Sequence, residues 1–239
     1  MTTFDFHKQQ VGTTELSIAA RLDPDTENEL SALFRKFFEV SEDERNWNLW
    51  NVIPWDQESS DPSPELRTGV MTAYKEHLFL PDYSAEALRY LRASRGRAWF
   101  LTRWSYDEGK HLLALGEWLI RSGTLTEEEL KALGDGLLSQ YQWEPPFTDA
   151  TSLFLDALLW EEREIRQAED LHQKAQQAGA VALESIMAHF LRDEQAHRDF
   201  FRGALQIIAM RNGEKVDEAC IRVAEVQGIS VAEARAALA

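Results

Sequence analysis

Two glutamate–histidine pairs, Glu108-x-x-His111 and Glu194-x-x-His197, have the spacing that puts both members on one face of a helix. Three residues advance an α-helix by about 300° and 4.5 Å, so a carboxylate and an imidazole so placed reach the same cation. Glu169-x-x-His172 has this spacing too, so the short motif alone selects nothing. The longer spacing does. Glu76 lies 32 residues before Glu108, and Glu162 lies 32 before Glu194. Residues level with each other in an antiparallel helix hairpin are equidistant from its turn. The two midpoints fall near 92 and 178, beside the turn-forming Ser94-Arg95-Gly96 and Gly179. Two such hairpins packed together bring Glu76, Glu108, His111, Glu162, Glu194 and His197 into one layer, and leave Glu169 and His172 without partners. His77, next to Glu76, and Glu86, nearer the turn, are alternatives for the first position, because Pro81 can distort the helix that carries them.

Four carboxylates converging inside a bundle cost several kcal/mol each unless they are neutralised. Two divalent cations with neutral imidazoles cancel them. Oxygen and nitrogen donors without thiolate suit iron, with manganese as the second choice, and disfavour a structural zinc. One Glu from each of two helices and Glu-x-x-His from the other two is the ligand set of di-iron carboxylate bundles. The chain has no flavin or nicotinamide fingerprint, which points to an external electron donor such as a ferredoxin.

The elements that must hold this layer read as helices throughout. The 239 residues include only 12 Gly and 7 Pro, too few for a turn-rich β fold. Leu30, Leu33, Phe34, Phe37 and Phe38 recur at helical spacing in 26–40, and 41–62 reads as an irregular connection with one short turn. Ser63-Pro64-Glu65 opens a helix over 64–92, bent at Pro81. Helices are predicted over 97–122, 127–141 (Thr126 with Glu129 as a capping box), 149–177 and 180–211, with a short one after Ser230. The expected architecture is all-α: one domain over 1–239, with a four-helix core at 63–212, an N-terminal helix and loop at 1–62, and a tail at 213–239. A formal charge of −16 argues against nucleic acid. No run of about 20 uncharged residues suits a membrane span. The start of the chain, with Asp5 and no apolar stretch behind basic residues, reads as free of a leader. The single cysteine, Cys220, suits a reducing cytoplasm.

Over about residues 44–212 the sequence resembles the soluble acyl-carrier-protein desaturases and their ferritin-like relatives. Trp104-Ser-Tyr-Asp-Glu-Gly-Lys-His111 is similar to the family's W-T-x-E-E-N-R-H, Trp160-Glu-Glu162-Arg to F-Q-E-R, and Asp193-Glu-Gln-Ala-His197 to D-E-x-R-H. Leu80-Pro-Asp-Tyr83 resembles L-P-T-Y, and Trp47 keeps the spacing of a family tryptophan to the proline at Pro54. The resemblance implies a ferritin-like four-helix bundle with extra terminal helices, a di-iron centre, and O2-dependent desaturation or hydroxylation of an acyl chain on a carrier protein. It also implies that Trp47 and Asp193 join His111 in a route for electrons or protons, and that the chain forms a homodimer. Strict register around Pro81 puts His77 at the family's first ligand. The family's threonine beside the oxygen-binding face falls on Ile165. Arg89, Arg92, Arg95 and Arg97 cluster at the first hairpin turn, where they could steer an acidic acyl carrier protein. The other readings of the ligand layer are an N-oxygenase or hydroxylase of a small natural product and a non-catalytic iron-binding protein.

Overall fold

In the computed structural model, residues 20–58 and 61–239 are described, so the reading of the N-terminus around Asp5 lies outside them. Every described element of any length is a helix, and six of them begin where an N-cap side chain satisfies free N–H groups of a first turn. Asp23 caps α1 (Pro24–Glu44), Asn48 the short α2 (Leu49–Val52), and Ser63 caps α3 (Pro64–His77). After α4 (Leu80–Leu91) and α5 (Arg95–Arg121), the Thr126–Glu129 capping box opens α6 (Glu127–Gln140). Asp149 caps α7 (Ala150–Ala178). The long α8 (Val181–Gln227) follows, and a Ser230–Glu233 capping box starts α9 (Val231–Ala236).

Two antiparallel hairpins make the bundle. The first is α3 and α4 returning through α5, and the second is α7 returning through α8 across Gly179, whose φ of 67° is the left-handed conformation glycine adopts at low cost. The helix predicted over 64–92 is two helices. Proline removes the hydrogen bond to the carbonyl four residues earlier and crowds that carbonyl. For Pro81 that residue is His77, and α3 ends there. Helix α8 bends at Asn212 (φ −138°, ψ 50°) and continues to Gln227, where a stop near Asn212-Gly213 is expected from sequence. Beyond the bend, Val216, Ala219, Cys220 and Val223 fold back onto the core. Helix α1 lies along α5 and α8. Its close approach to α5 depends on Gly96, where a Cβ would stand 2.5 Å from the backbone of Leu30. Among the described residues, no helix is long and apolar enough to cross a membrane.

The apolar core is in two parts. One holds Phe100, Phe154, Phe200, Phe201 and Leu205; the other holds Val70, Leu115, Trp118, Leu183 and Ile186. Between them, on the same helices, lies a layer of buried acids and imidazoles.

Candidate metal centre

Helix α3 contributes His77 to this layer, α5 contributes Glu108 and His111, α7 Glu161 and Glu164, and α8 Glu194 and His197. All seven are buried. The ligand atoms of six of them fall into two groups, His77–Glu108–His111–Glu194 and Glu108–Glu161–Glu194–His197, each with its atoms within 4.8 Å of one another; Glu164 stands beside the first group, its Oε1 3.7 Å from His77 Nε2. Glu108 and Glu194 belong to both. Glu108 lies 3.1 Å from His77 Nε2 and 3.2 Å from His197 Nδ1, and Glu194 lies 2.9 Å from His111 Nδ1 and 3.5 Å from His197 Nδ1. Two groups that share two carboxylates could hold two adjacent cations.

Of the six residues expected from sequence, the structure brings Glu108, His111, Glu194 and His197 together in this layer. The other two hairpin positions are shifted by one residue, in opposite directions. Glu76 is half-buried and lines a neighbouring cavity, while His77 points into the layer. Glu162 lies on the flank of α7, paired with Arg202 at 2.8 Å, and Glu161 takes the inward place. One residue is about 100° of helix, enough to exchange a ligand for a surface side chain. Glu86 pairs with Arg89, and Glu169 is exposed. Glu164 is buried three residues on from Glu161, one turn further along α7. Ile165 is buried one residue further on.

The donor set fits a pair of divalent cations. His77 Nε2, Glu108 Oε1, His111 Nδ1, Glu161 Oε2, Glu164 Oε2, both Glu194 oxygens and His197 Nδ1 are buried without a hydrogen-bond partner. Buried polar atoms left in that state are costly and rare. The outer ring nitrogens are supported in the way metal-binding imidazoles require. His77 Nδ1 lies 2.9 Å from the Ala73 carbonyl and His111 Nε2 3.3 Å from Asp193, while His197 Nε2 faces Asp107 at 3.5 Å, an ion-pair distance without a hydrogen bond. The support is crossed: the aspartate of each Asp-Glu-x-x-His segment faces the histidine of the other. Asp193 is anticipated from sequence, whereas Asp107, its counterpart, is not, although the two segments repeat one motif.

Charge separates an outer ring from the inner one. Asp107 and Asp193 have cations of their own: Lys110 at 2.9 and 3.6 Å, Arg103 at 3.2 Å from Asp107, and Arg45 at 3.8 Å from Asp193. Burial works against ionising Asp107, but His197 and Lys110 outweigh it and hold its carboxyl below the usual range. Among the described residues, no Lys or Arg pairs with Glu108, Glu161, Glu164 or Glu194, whose charged-group partners are all histidines. Burial, and then the Glu194 charge, push the Glu161 and Glu164 carboxyls well up. Burial opposes protonation of His77, but Glu164 and Glu108 raise it to about 9. The inner ring therefore has an uncompensated demand for positive charge.

A half-enclosed cavity of about 420 Å³ opens onto the layer at Glu161. Its walls are mostly aromatic and aliphatic: Phe79, Tyr83, Trp104, Trp143, Phe154, Trp160 and Phe201, with Leu101, Leu153 and Ala157. Trp104 Nε1 donates to Glu161 Oε1 at 2.8 Å, tying the cavity wall to the layer. Lys75, Glu76 and Asp156 add polar groups. On the opposite side, Trp47 Nε1 donates to Asp193 at 2.7 Å, and the Trp47 ring stacks on half-buried His189 at 4.7 Å. At the first hairpin turn Arg92 and Arg95 are exposed and Arg89 pairs with Glu86, but Arg97 is fully buried. Arg97 donates to Ser94 Oγ and the Ala20 carbonyl, so it is removed from the basic surface expected there.

No known protein family's profile matches the chain, and no curated protein sequence does. In structure, the chain is similar to the X-ray structure of DesA2 from Mycobacterium tuberculosis H37Rv, described as a candidate acyl-ACP desaturase. The TM-score is 0.54 at 18% identity, covering 82% of this chain and 75% of that one. That likeness establishes the fold as all-α and ferritin-like.

Proposed function

We propose that this chain is an O2-dependent, non-haem di-iron oxidoreductase that desaturates or hydroxylates an apolar substrate, with an acyl chain presented by a carrier protein as the favoured one. The observation that carries this reading is the junction of two things: a layer of six Glu and His side chains whose carboxylates pair with no lysine or arginine among the described residues, and an apolar cavity ending on one of its members, Glu161. His77, Glu108, His111, Glu161, Glu194 and His197 would hold the ions. A pair of ferrous ions, when bound, supplies the electrons and Lewis acidity for reduction of O2. The protein's part is binding, orientation and exclusion of water. Phe79, Leu101, Phe154 and Phe201 desolvate the substrate and fix which carbon faces Glu161, since a displacement of about 1 Å costs on the order of a hundredfold in rate. Asp193 accepts from Trp47, holds His111 through its outer nitrogen, and gives a hydrogen-bonded route from the His189 side for the electrons of an external donor such as a ferredoxin.

The apolar cavity favours an enzyme over an iron store. Its ring of aromatic side chains also favours, as a second reading, oxidation of a compact aromatic substrate without a carrier. The carrier arm draws support from exposed Arg92 and Arg95 in an acidic protein. The test is O2 consumption by the iron-loaded, chemically reduced protein with an acyl carrier substrate, with the free acyl chain, and with aryl compounds. Substrate-coupled O2 uptake in one arm is expected. Uptake that no apolar substrate changes would remove the oxidase reading. Ala157→Trp, which fills the cavity, should abolish the coupling at least tenfold while leaving two irons bound.

A further inference from the structure

We propose that Glu164 is a metal ligand, the fourth carboxylate of the centre, and that it makes the two cation positions unequal; this rests on the dinuclear reading above. Glu164 stands one turn beyond Glu161 on the same face of α7. Its Oε1 is 3.7 Å from His77 Nε2, and its Oε2 is buried with no hydrogen-bond partner. Two explanations exist for a carboxyl so placed. A neutral acid would donate its hydroxyl proton to an acceptor, and none lies within bonding distance of Oε2. The distance to His77 Nε2 is also too long for such a bond. An ionised carboxylate needs a cation, and the described lysines and arginines supply none. Charge counting gives the same answer. Glu108, Glu161 and Glu194 carry −3 and two divalent ions carry +4, with neutral imidazoles. Adding Glu164 closes the layer at zero, as a water-poor interior requires.

The position on the His77 side then has two imidazoles (His77 and His111), the bridging Glu108 and Glu194, and Glu164 for itself. The other has one imidazole, His197, with Glu161 and the same two bridges. Imidazole-rich sites favour iron over manganese, and carboxylate-rich sites tolerate manganese better. The two positions therefore fill in sequence, the His77 side first, and that side selects iron more strongly.

The test is an anaerobic titration of metal-free protein with Fe(II) or Mn(II), read as bound metal per chain after gel filtration, for wild type, Glu164→Gln and, as a control, Glu162→Gln. Wild type and Glu162→Gln should bind two ions with distinguishable affinities. Glu164→Gln, isosteric but uncharged, should keep one and bind the other more weakly by at least the roughly 10–100-fold that loss of a residue supporting a ligand costs, with an unchanged helical circular dichroism signal. Two ions bound by Glu164→Gln with wild-type affinities would overturn the proposal and leave the dinuclear reading intact. Wild type that binds no metal would overturn both. A crystal structure of the metal-loaded wild type tests the same point independently of how the variant folds. A Glu164 oxygen within about 2.0–2.6 Å of an ion supports the assignment, and one beyond hydrogen-bond distance overturns it.

Discussion

Glu108 meets three imidazoles, at 3.1, 3.2 and 3.7 Å, and Glu194 meets two of the same three. A side chain shared by two cation positions cannot be removed without affecting both. Glu108→Gln and Glu194→Gln are therefore expected to lose both ions through desalting, measured by mass spectrometry of bound metal. Glu76→Gln and Glu162→Gln should each retain two, since neither carboxylate reaches the layer. Trp47 makes a different demand on Asp193. Its indole N–H holds the carboxylate that supports His111, so Trp47→Phe keeps the ring stack on His189 but loses the donor. Second-layer changes of this kind cost about 10–100-fold in metal affinity or activity. For Trp47→Phe the loss should fall on the rate of reduction by an external donor, read by rapid-mixing absorbance, with the metal content unchanged.

At the scale of the helices, the hairpins were legible because turn punctuation and the Glu-x-x-His pairs agreed on two midpoints. What equal spacing could not resolve was rotation. Moving the partner from Glu76 to His77 or from Glu162 to Glu161 shifts a midpoint by half a residue, within the tolerance of any turn, yet turns the side chain by about 100°. On α3 the deciding signal was Pro81, which ends the helix at His77 through its missing hydrogen bond. On α7 it was amphipathic register: Phe154, Leu158, Glu161, Glu164, Ala168, Leu171 and Ala175 are buried along one face, and Glu162 does not belong to it. The burial of Arg97 was not legible, because the chain that covers it, Glu27 and Ala20, is far away in sequence. The same crossing of α1 over α5 sets a test of packing. Adding a methyl group at Gly96 would push into the Leu30 carbonyl, a backbone atom that cannot rotate away. Gly96→Ala should lose about 1–3 kcal/mol in urea unfolding, the usual cost of overpacking. Gly136, with open space around its missing Cβ, should tolerate alanine.

For the molecule as a whole, the layer sits between two apolar clusters, so the same helices that supply its ligands also supply most of the core. Without cations, protons must stand in for them. His77 is raised to about 9 from a usual 6.5 by Glu164 and Glu108 despite its burial, and burial also pushes the Glu161 carboxyl well above the usual carboxylate range. Folded-state values that lie above the unfolded ones mean that the metal-free fold holds extra protons. The stabilisation by His77 is complete below about pH 6.5 and is lost as the pH rises through about 9. Metal ions change the sign of this dependence, because they bind deprotonated ligands and displace those protons. Metal-free protein should thus melt at progressively lower temperature from pH 6.5 to 9, while ion affinity rises over the same range. With free ion at about a hundred times Kd the added stability is about 2.7 kcal/mol, or roughly 5–11 °C for a chain of this size. The difference in melting temperature between metal-loaded and metal-free protein should widen with pH across that window in differential scanning calorimetry. A gap that stays constant or narrows would mean that the protons and the metal ions do not compete for one set of side chains.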